Sequence, residues 1–169
     1  MMRDLLSWIV MSVAAASICG LAFAAPLGPG DSPPAKLGVD KNGHAAETAK
    51  YGGKVLVVTF WATWCAPCMK ELPMLDGIQK VAGKDKLQVV AVNIEDGERF
   101  RKIAKALSSL NVTITNDYLK EASEAFGVKG IPHCAIIGRD GKIISVHRGY
   151  SEDALDSIIA EINDALAAK

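Results

Sequence analysis

Two cysteines three positions apart, in Trp64-Cys65-Ala66-Pro67-Cys68, carry the most distinctive chemistry of this chain. They follow Val55-Leu56-Val57-Val58-Thr59-Phe60, a continuous apolar run rich in β-branched residues that suits a buried parallel strand. Beyond them Met69, Leu72, Leu75 and Ile78 recur every three residues, which gathers them near one face of a helix. The thiols therefore fall where a strand hands over to a helix, with Cys65 at the helix N-terminus. Free N–H groups and the positive end of the helix dipole stabilise an anion there, so Cys65 is expected to ionise below the usual value of about 8.5. A thiolate attacks disulfides, and a second thiol one turn on can attack the mixed disulfide and release the bound partner. The spacing fits dithiol–disulfide exchange.

The elements that must hold this pair can be read along the chain. A short strand is expected at 36–39, followed by an Asp40-Lys41-Asn42-Gly43 turn. The strand ending at Phe60 leads into a helix from 65 to about 81. Residues 87–94 form a second buried strand, and Phe100, Ile103, Ala104, Leu107 and Leu110 fit a 3.6 period over 98–110. A brief extended piece at 112–114 precedes a short helix near 119–126, which Gly127 ends. Residues 135–137 and 143–147 flank Arg139-Asp140-Gly141-Lys142 and predict a hairpin. The last helix opens at Ser151-Glu152-Asp153 and turns Leu155, Ile158, Ile159, Ile162 and Leu166 inward. Strands alternating with helices, then a hairpin and a closing helix, predict an α/β fold: a mixed sheet with helices on both faces.

Four of the seven prolines lie at 26–34, within a Pro/Gly segment (25–35) expected to act as a spacer before the domain at 36–169. Of the rest, Pro67 is tolerated in the first helical turn, and Pro73 should kink the same helix. Pro132, after Gly130-Ile131 and before a strand, is a candidate for a cis peptide.

Before the spacer, residues 5–23 are apolar apart from serines and a tryptophan, and Ala22-Phe23-Ala24 is a small-x-small cleavage signature. Residues 1–24 are thus expected to be a signal peptide, with an uncleaved inner-membrane anchor as the alternative. Export places the dithiol in a periplasmic or other oxidising compartment. About 145 residues then remain, enough for one domain. The chain has 19 basic and 19 acidic side chains and no formal net charge, which gives no electrostatic case for nucleic acid.

Phe60-Trp61-Ala62-Thr63-Trp64-Cys65-Ala66-Pro67-Cys68, with Glu71-Leu72-Pro73 beyond and Gly127-Val128-Lys129-Gly130-Ile131-Pro132 later, resembles the thioredoxin superfamily. Within it the chain is most similar to the exported TlpA/ResA-like branch of thiol-disulfide oxidoreductases, which includes cytochrome c maturation reductants. The resemblance implies that Cys65 is the exposed attacking cysteine and Cys68 the more buried resolving one. Pro132 matches the cis-proline that faces the disulfide. Glu71 matches an acidic residue that tunes a thiol or relays a proton, against the plainer reading of an exposed helix glutamate. Trp64 would shield the disulfide and, with Ile131, belong to the substrate-binding side, while Trp61 suits the core. Client proteins with disulfides or thiols, and a membrane thiol partner that supplies electrons, are the implied partners; no cofactor is implied.

Three departures matter. Thr59 stands where thioredoxins carry a buried aspartate, which removes a proton relay at that position and gives Glu71 more to do. Ala66-Pro67 supplies no histidine or charge to acidify a thiol, which favours a reductant over a strong oxidant. His133-Cys134 directly after Pro132 is unusual and opens an alternative, a thiophilic copper or zinc site built from Cys65, Cys68, Cys134 and His133. Strand alternation weakens that site, because neighbours point to opposite faces. The expectation is a buried, inert Cys134 and a substrate-facing His133. A peroxidase reading fits the tryptophan-flanked pair poorly.

Overall fold

The computed structural model describes residues 25–149 and 151–168; the signal or anchor segment at 1–24 lies outside the described residues. Seven strands form a single mixed sheet: β1 (Lys36–Val39), β2 (Ala45–Glu47), β3 (Val55–Trp61), β4 (Leu87–Asn93), β5 (Thr113–Asn116), β6 (His133–Ile137) and β7 (Ile143–Arg148). Their order across the sheet is β2-β1-β5-β4-β3-β6-β7. The central trio β5, β4 and β3 runs parallel, whereas β6, β7 and β1 pair antiparallel to their neighbours. Four helices complete the fold: α1 (Ala66–Ala82), α2 (Gly97–Ala106), α3 (Glu121–Ala125) and α4 (Glu152–Ala167).

Every residue of β3, β4 and β6 is buried, because helices or chain segments cover both faces of the sheet. Alternation divides them into two cores. Val55, Val57, Trp61, Val89, Ala91, Cys134 and Ile136 face α1 and α4, which contribute Leu72, Leu75, Ile158 and Ile162. Leu56, Val58, Phe60, Val90, Val92, Ala135 and Ile137 face the other way, onto Ala122 and Phe126 at α3. Ile131 packs against both cores.

The strand and helix expectations hold with shifted ends. The second helix stops at Ala106 rather than Leu110, and the brief extended piece pairs as β5 one residue later than expected. β2 and the 3-10 turn at Thr48–Tyr51 were not legible, since three residues of Ala-Ala-Glu carry no periodic signal. Ser151 caps α4 as expected, accepting from the Ala154 N–H at 3.0 Å.

The Pro/Gly segment does not stand away from the domain. Leu27 N–H donates to Ala125 O, Gly30 N–H to Ile143 O, and Ile143 N–H to Asp31 O, so the segment lies along the domain surface. Pro26 seats against Gly127, where an added Cβ would come within 2.5 Å of it. Prolines removed hydrogen-bond donors from this stretch, but glycine and aspartate between them kept enough to dock it.

Candidate active site

Cys65 occupies the N-cap of α1 in an extended conformation, and Pro67 falls in the first turn, where no N–H is needed. Cys65 and Cys68 are joined as a disulfide, with S–S 2.04 Å and Cα atoms 5.3 Å apart. The Cys68 N–H donates to Cys65 Sγ at 3.2 Å. A sulfur at this position accepts from an otherwise orphaned helix N–H and sits at the positive end of a 17-residue helix. Both features favour a thiolate on Cys65 once the disulfide is opened. In the oxidised state Cys65 keeps 4 % of its surface and Cys68 none. Cys65 is therefore not exposed as expected: joined as a disulfide, both sulfur-bearing side chains are buried.

The loop leading into Cys65 is pinned from β4. Glu95 accepts from the Thr63 N–H at 2.6 Å and from the Thr63 hydroxyl at 2.8 Å. Asn93 donates to the same carboxylate, and Asn116 ties the Glu95 backbone to β5. Burial raises the Glu95 carboxyl, but the hydrogen bonds from Thr63 and Asn93 and the Arg99 charge outweigh it and hold it below the usual range. This clamp was not foreseen; its only sequence signal is a glutamate just past a strand, which most often marks a loop. Trp64, inside the clamped loop, is 66 % exposed beside Cys65, whereas Trp61 is fully buried.

Glu71 is buried, three residues beyond Cys68 on the same side of α1. The Thr59 hydroxyl donates to its carboxylate at 2.9 Å. Burial pushes Glu71 up to about 7, against the Thr59 hydrogen bond and the charge of His147, which both pull it down. The plainer reading of Glu71 as a surface residue is thereby excluded. Thr59 also proves more than a missing aspartate: the polar group at that strand position acts through Glu71 instead of alone.

The Ile131–Pro132 peptide is cis, in line with expectation. Ile131 packs against the core that contains both cysteines, and among the described residues its backbone N–H and C=O have no hydrogen-bond partner. Cys134 and His133 take opposite faces. Cys134 is buried in the core with Cys65 and Cys68, and burial together with the Glu71 and Glu161 carboxylates raises its thiol well above the usual value. A buried, inert thiol was expected here; that it lies on the disulfide side, and His133 on the other, was not.

His133 is 1 % exposed, edge-on to Phe60 with ring centres 5.7 Å apart, in the second core's territory. A side chain so covered does not face a substrate lying over the disulfide, which corrects the expectation for it. Pairing decides this: Cys134 sits opposite Thr59 and His133 opposite Phe60, so register assigns each to its neighbour's face. The same split separates His133 from the three cysteines, and no cluster of three metal-ligating side chains occurs among the described residues.

Comparison with known proteins places these features in a lineage. The Redoxin family model matches residues 29–165. The thiol-disulfide oxidoreductase ResA of Bacillus subtilis is 29 % identical over 118 residues, covering 69 % of this chain and 65 % of that protein. The chain thus spans just under two thirds of the length of that relative. A thiol:disulfide interchange protein of the thioredoxin family from Chlorobium tepidum superposes with a TM-score of 0.63 at 25 % identity, over 85 % of this chain and 98 % of that one. The pneumococcal exposed lipoprotein thioredoxin Etrx1 of Streptococcus pneumoniae superposes with a TM-score of 0.61 at 25 % identity, over 83 % of this chain and 99 % of that one. A mixed sheet sandwiched by helices, a C-x-x-C at a strand-to-helix junction and a cis-proline loop beside it accompany the match, and the chain belongs to the redoxin family with a thioredoxin-like fold.

Proposed function

We propose that this protein is an exported thiol-disulfide oxidoreductase that reduces disulfides in client proteins through Cys65 and Cys68. The observation that carries the reading is Cys65 at the N-cap of α1 with the Cys68 N–H directed at its sulfur. In the dithiol state the Cys65 thiolate attacks one client sulfur, forms a mixed disulfide and expels the other client sulfur as a thiolate. Cys68 then loses its proton and attacks Cys65 Sγ, which restores the Cys65–Cys68 bond and releases the second client thiol. Two electrons pass to the client, and two protons follow. Glu71, one turn from Cys68 and pushed up to about 7, is suited to take the Cys68 proton, because its carboxylate and acid forms are close in energy near neutral pH.

The client is held as an added strand on the Ile131 backbone ahead of Pro132, which has no hydrogen-bond partner among the described residues, with the exposed Trp64 next to Cys65 available to pack on it. A membrane thiol partner re-reduces the pair after each turnover. Support for export comes from the N-terminal pattern and from likeness to an exposed lipoprotein. Among the described residues no helix is long and apolar enough to cross a membrane. The finer assignment, a reductant in cytochrome c maturation or a similar pathway, rests on resemblance to the TlpA/ResA-like branch.

A redox titration of the Cys65–Cys68 pair tests the direction. A reductant should equilibrate nearer to about −270 mV, the thioredoxin range, than to about −120 mV, the range of a strong oxidant. A value at the oxidising end would reverse the proposed electron flow.

A further inference from the structure

Beside the Ile131–Pro132 loop lies a cleft of about 510 Å³ lined by Pro26, Gly127, Lys129, Ile131, His133 and Arg148, among others. Among the described residues both charged side chains in its lining are cations and none is a carboxylate. Among the described residues neither Lys129 nor Arg148 takes part in an ion pair. His133, buried in its wall, has an Nε2 atom without a hydrogen-bond partner among the described residues. Burial, and after it the Arg148 charge, push His133 down to about 4, so the imidazole is neutral and the cations of the lining are Lys129 and Arg148. Ammonium and guanidinium groups are donors only, and among the described residues the lining offers no side-chain carboxylate or amide acceptor to answer them. The complementary ligand is a small anion, and a carboxylate matches a guanidinium in shape as well as charge.

Position selects the source of that carboxylate. Ile131 borders the cleft and also packs against the core that holds the disulfide. A client strand paired with the Ile131 backbone projects alternate side chains to either side, one set of them toward Lys129 and Arg148. We propose that this cleft is a specificity subsite that receives an aspartate or glutamate side chain carried by the client close to its reacting cysteine. The proposal rests on the oxidoreductase reading above and adds a substrate class to it: clients with acidic flanks are reduced in preference to neutral ones.

The test uses the reduced full-length protein and disulfide-bonded peptides in which one glutamate is walked through the positions flanking the cysteine, each paired with its glutamine twin. At one position the glutamate peptide should show a kcat/KM about tenfold above its twin, the size of one charge-assisted contact discounted for exposure. In Lys129→Ala/Arg148→Ala the ratio should fall to about one, and in Lys129→Glu/Arg148→Glu it should invert. Raising salt should shrink the ratio in the parent. Equal rates for every pair of twins, or a preference that survives in the double-alanine variant, would overturn the subsite. A parent that reduces none of the peptides would instead remove the oxidoreductase reading itself, and the subsite with it.

Discussion

Thr59 and Phe60 are neighbours on β3, and Cys134 and His133 are neighbours on β6, yet each pair is divided between the two faces of the sheet. On the disulfide face a buried carboxyl, Glu71, has the Thr59 hydroxyl as partner and feels the His147 charge. On the opposite face a buried imidazole, His133, stands edge-on to Phe60 with Arg148 nearby and with no partner for Nε2 among the described residues. Burial drives both groups toward neutrality, the acid upward to about 7 and the base downward to about 4. The difference lies in what each can do with its proton. Glu71, pushed up to about 7, lies one turn from Cys68, which suits the proton exchange proposed for it. His133 stays neutral there and serves as packing against Phe60.

Removing the thiols should have the largest effect. Cys65→Ser is expected to abolish insulin disulfide reduction, because no other thiolate can start the attack, while Cys68→Ser should accumulate a mixed disulfide visible by mass spectrometry. Normal turnover by Cys65→Ser would reassign the nucleophile.

Glu71 comes next. A carboxyl raised on folding binds its proton more tightly in the native state, so its contribution is intact below the unfolded value of about 4.5 and lost as pH rises through about 7. The oxidised protein should therefore lose about 3 kcal/mol of stability across that window, and Glu71→Gln should lack this slope. Urea denaturation at a series of pH values measures it; parallel curves for parent and variant would return Glu71 to a passive role. The same variant should flatten the pH dependence of Cys68 alkylation in the reduced protein.

His133 gives the opposite sign over a shift of similar size. Its folded value lies below the unfolded one, so stability is retained above about 6.5 and lost as pH falls toward about 4. His133→Phe, which keeps an edge contact for Phe60, should reduce that acid-side loss in the same denaturation series. An unchanged acid limb would show that the imidazole is protonated in the native state.

Thr59→Val sharpens the comparison most gently. Without the hydroxyl the Glu71 carboxylate loses its hydrogen bond, so the midpoint of the alkaline stability loss should move to higher pH. A midpoint that stays or falls would mean that Thr59 does not hold the ionised form. Cys134 should contribute no reactivity at all: alkylation of the folded oxidised protein should leave it unmodified, and denaturation should expose it to peptide-mass detection.

Much of this was legible along the chain because the signals are local. An apolar run before Cys65, a helical repeat after it and a proline inside the pair determine that Cys65 becomes an N-cap, whatever surrounds it. The strand at 36–39, the hairpin and the Ser151 cap are likewise written in short-range pattern. What the sequence could not say concerns contacts across the sheet. Whether His133 or Cys134 meets the disulfide depends on the β3–β6 register, since one residue of slip exchanges their faces. The burial of Glu71 depends on α1 turning that side onto Thr59, a strand residue 12 positions earlier. The Glu95 clamp on Thr63 joins two loops 32 residues apart, and the docked Pro/Gly segment reaches Ile143 from Gly30. Spacing and propensity determined which residues could do the chemistry; strand pairing decided which were desolvated together, and desolvation sets where their protons go.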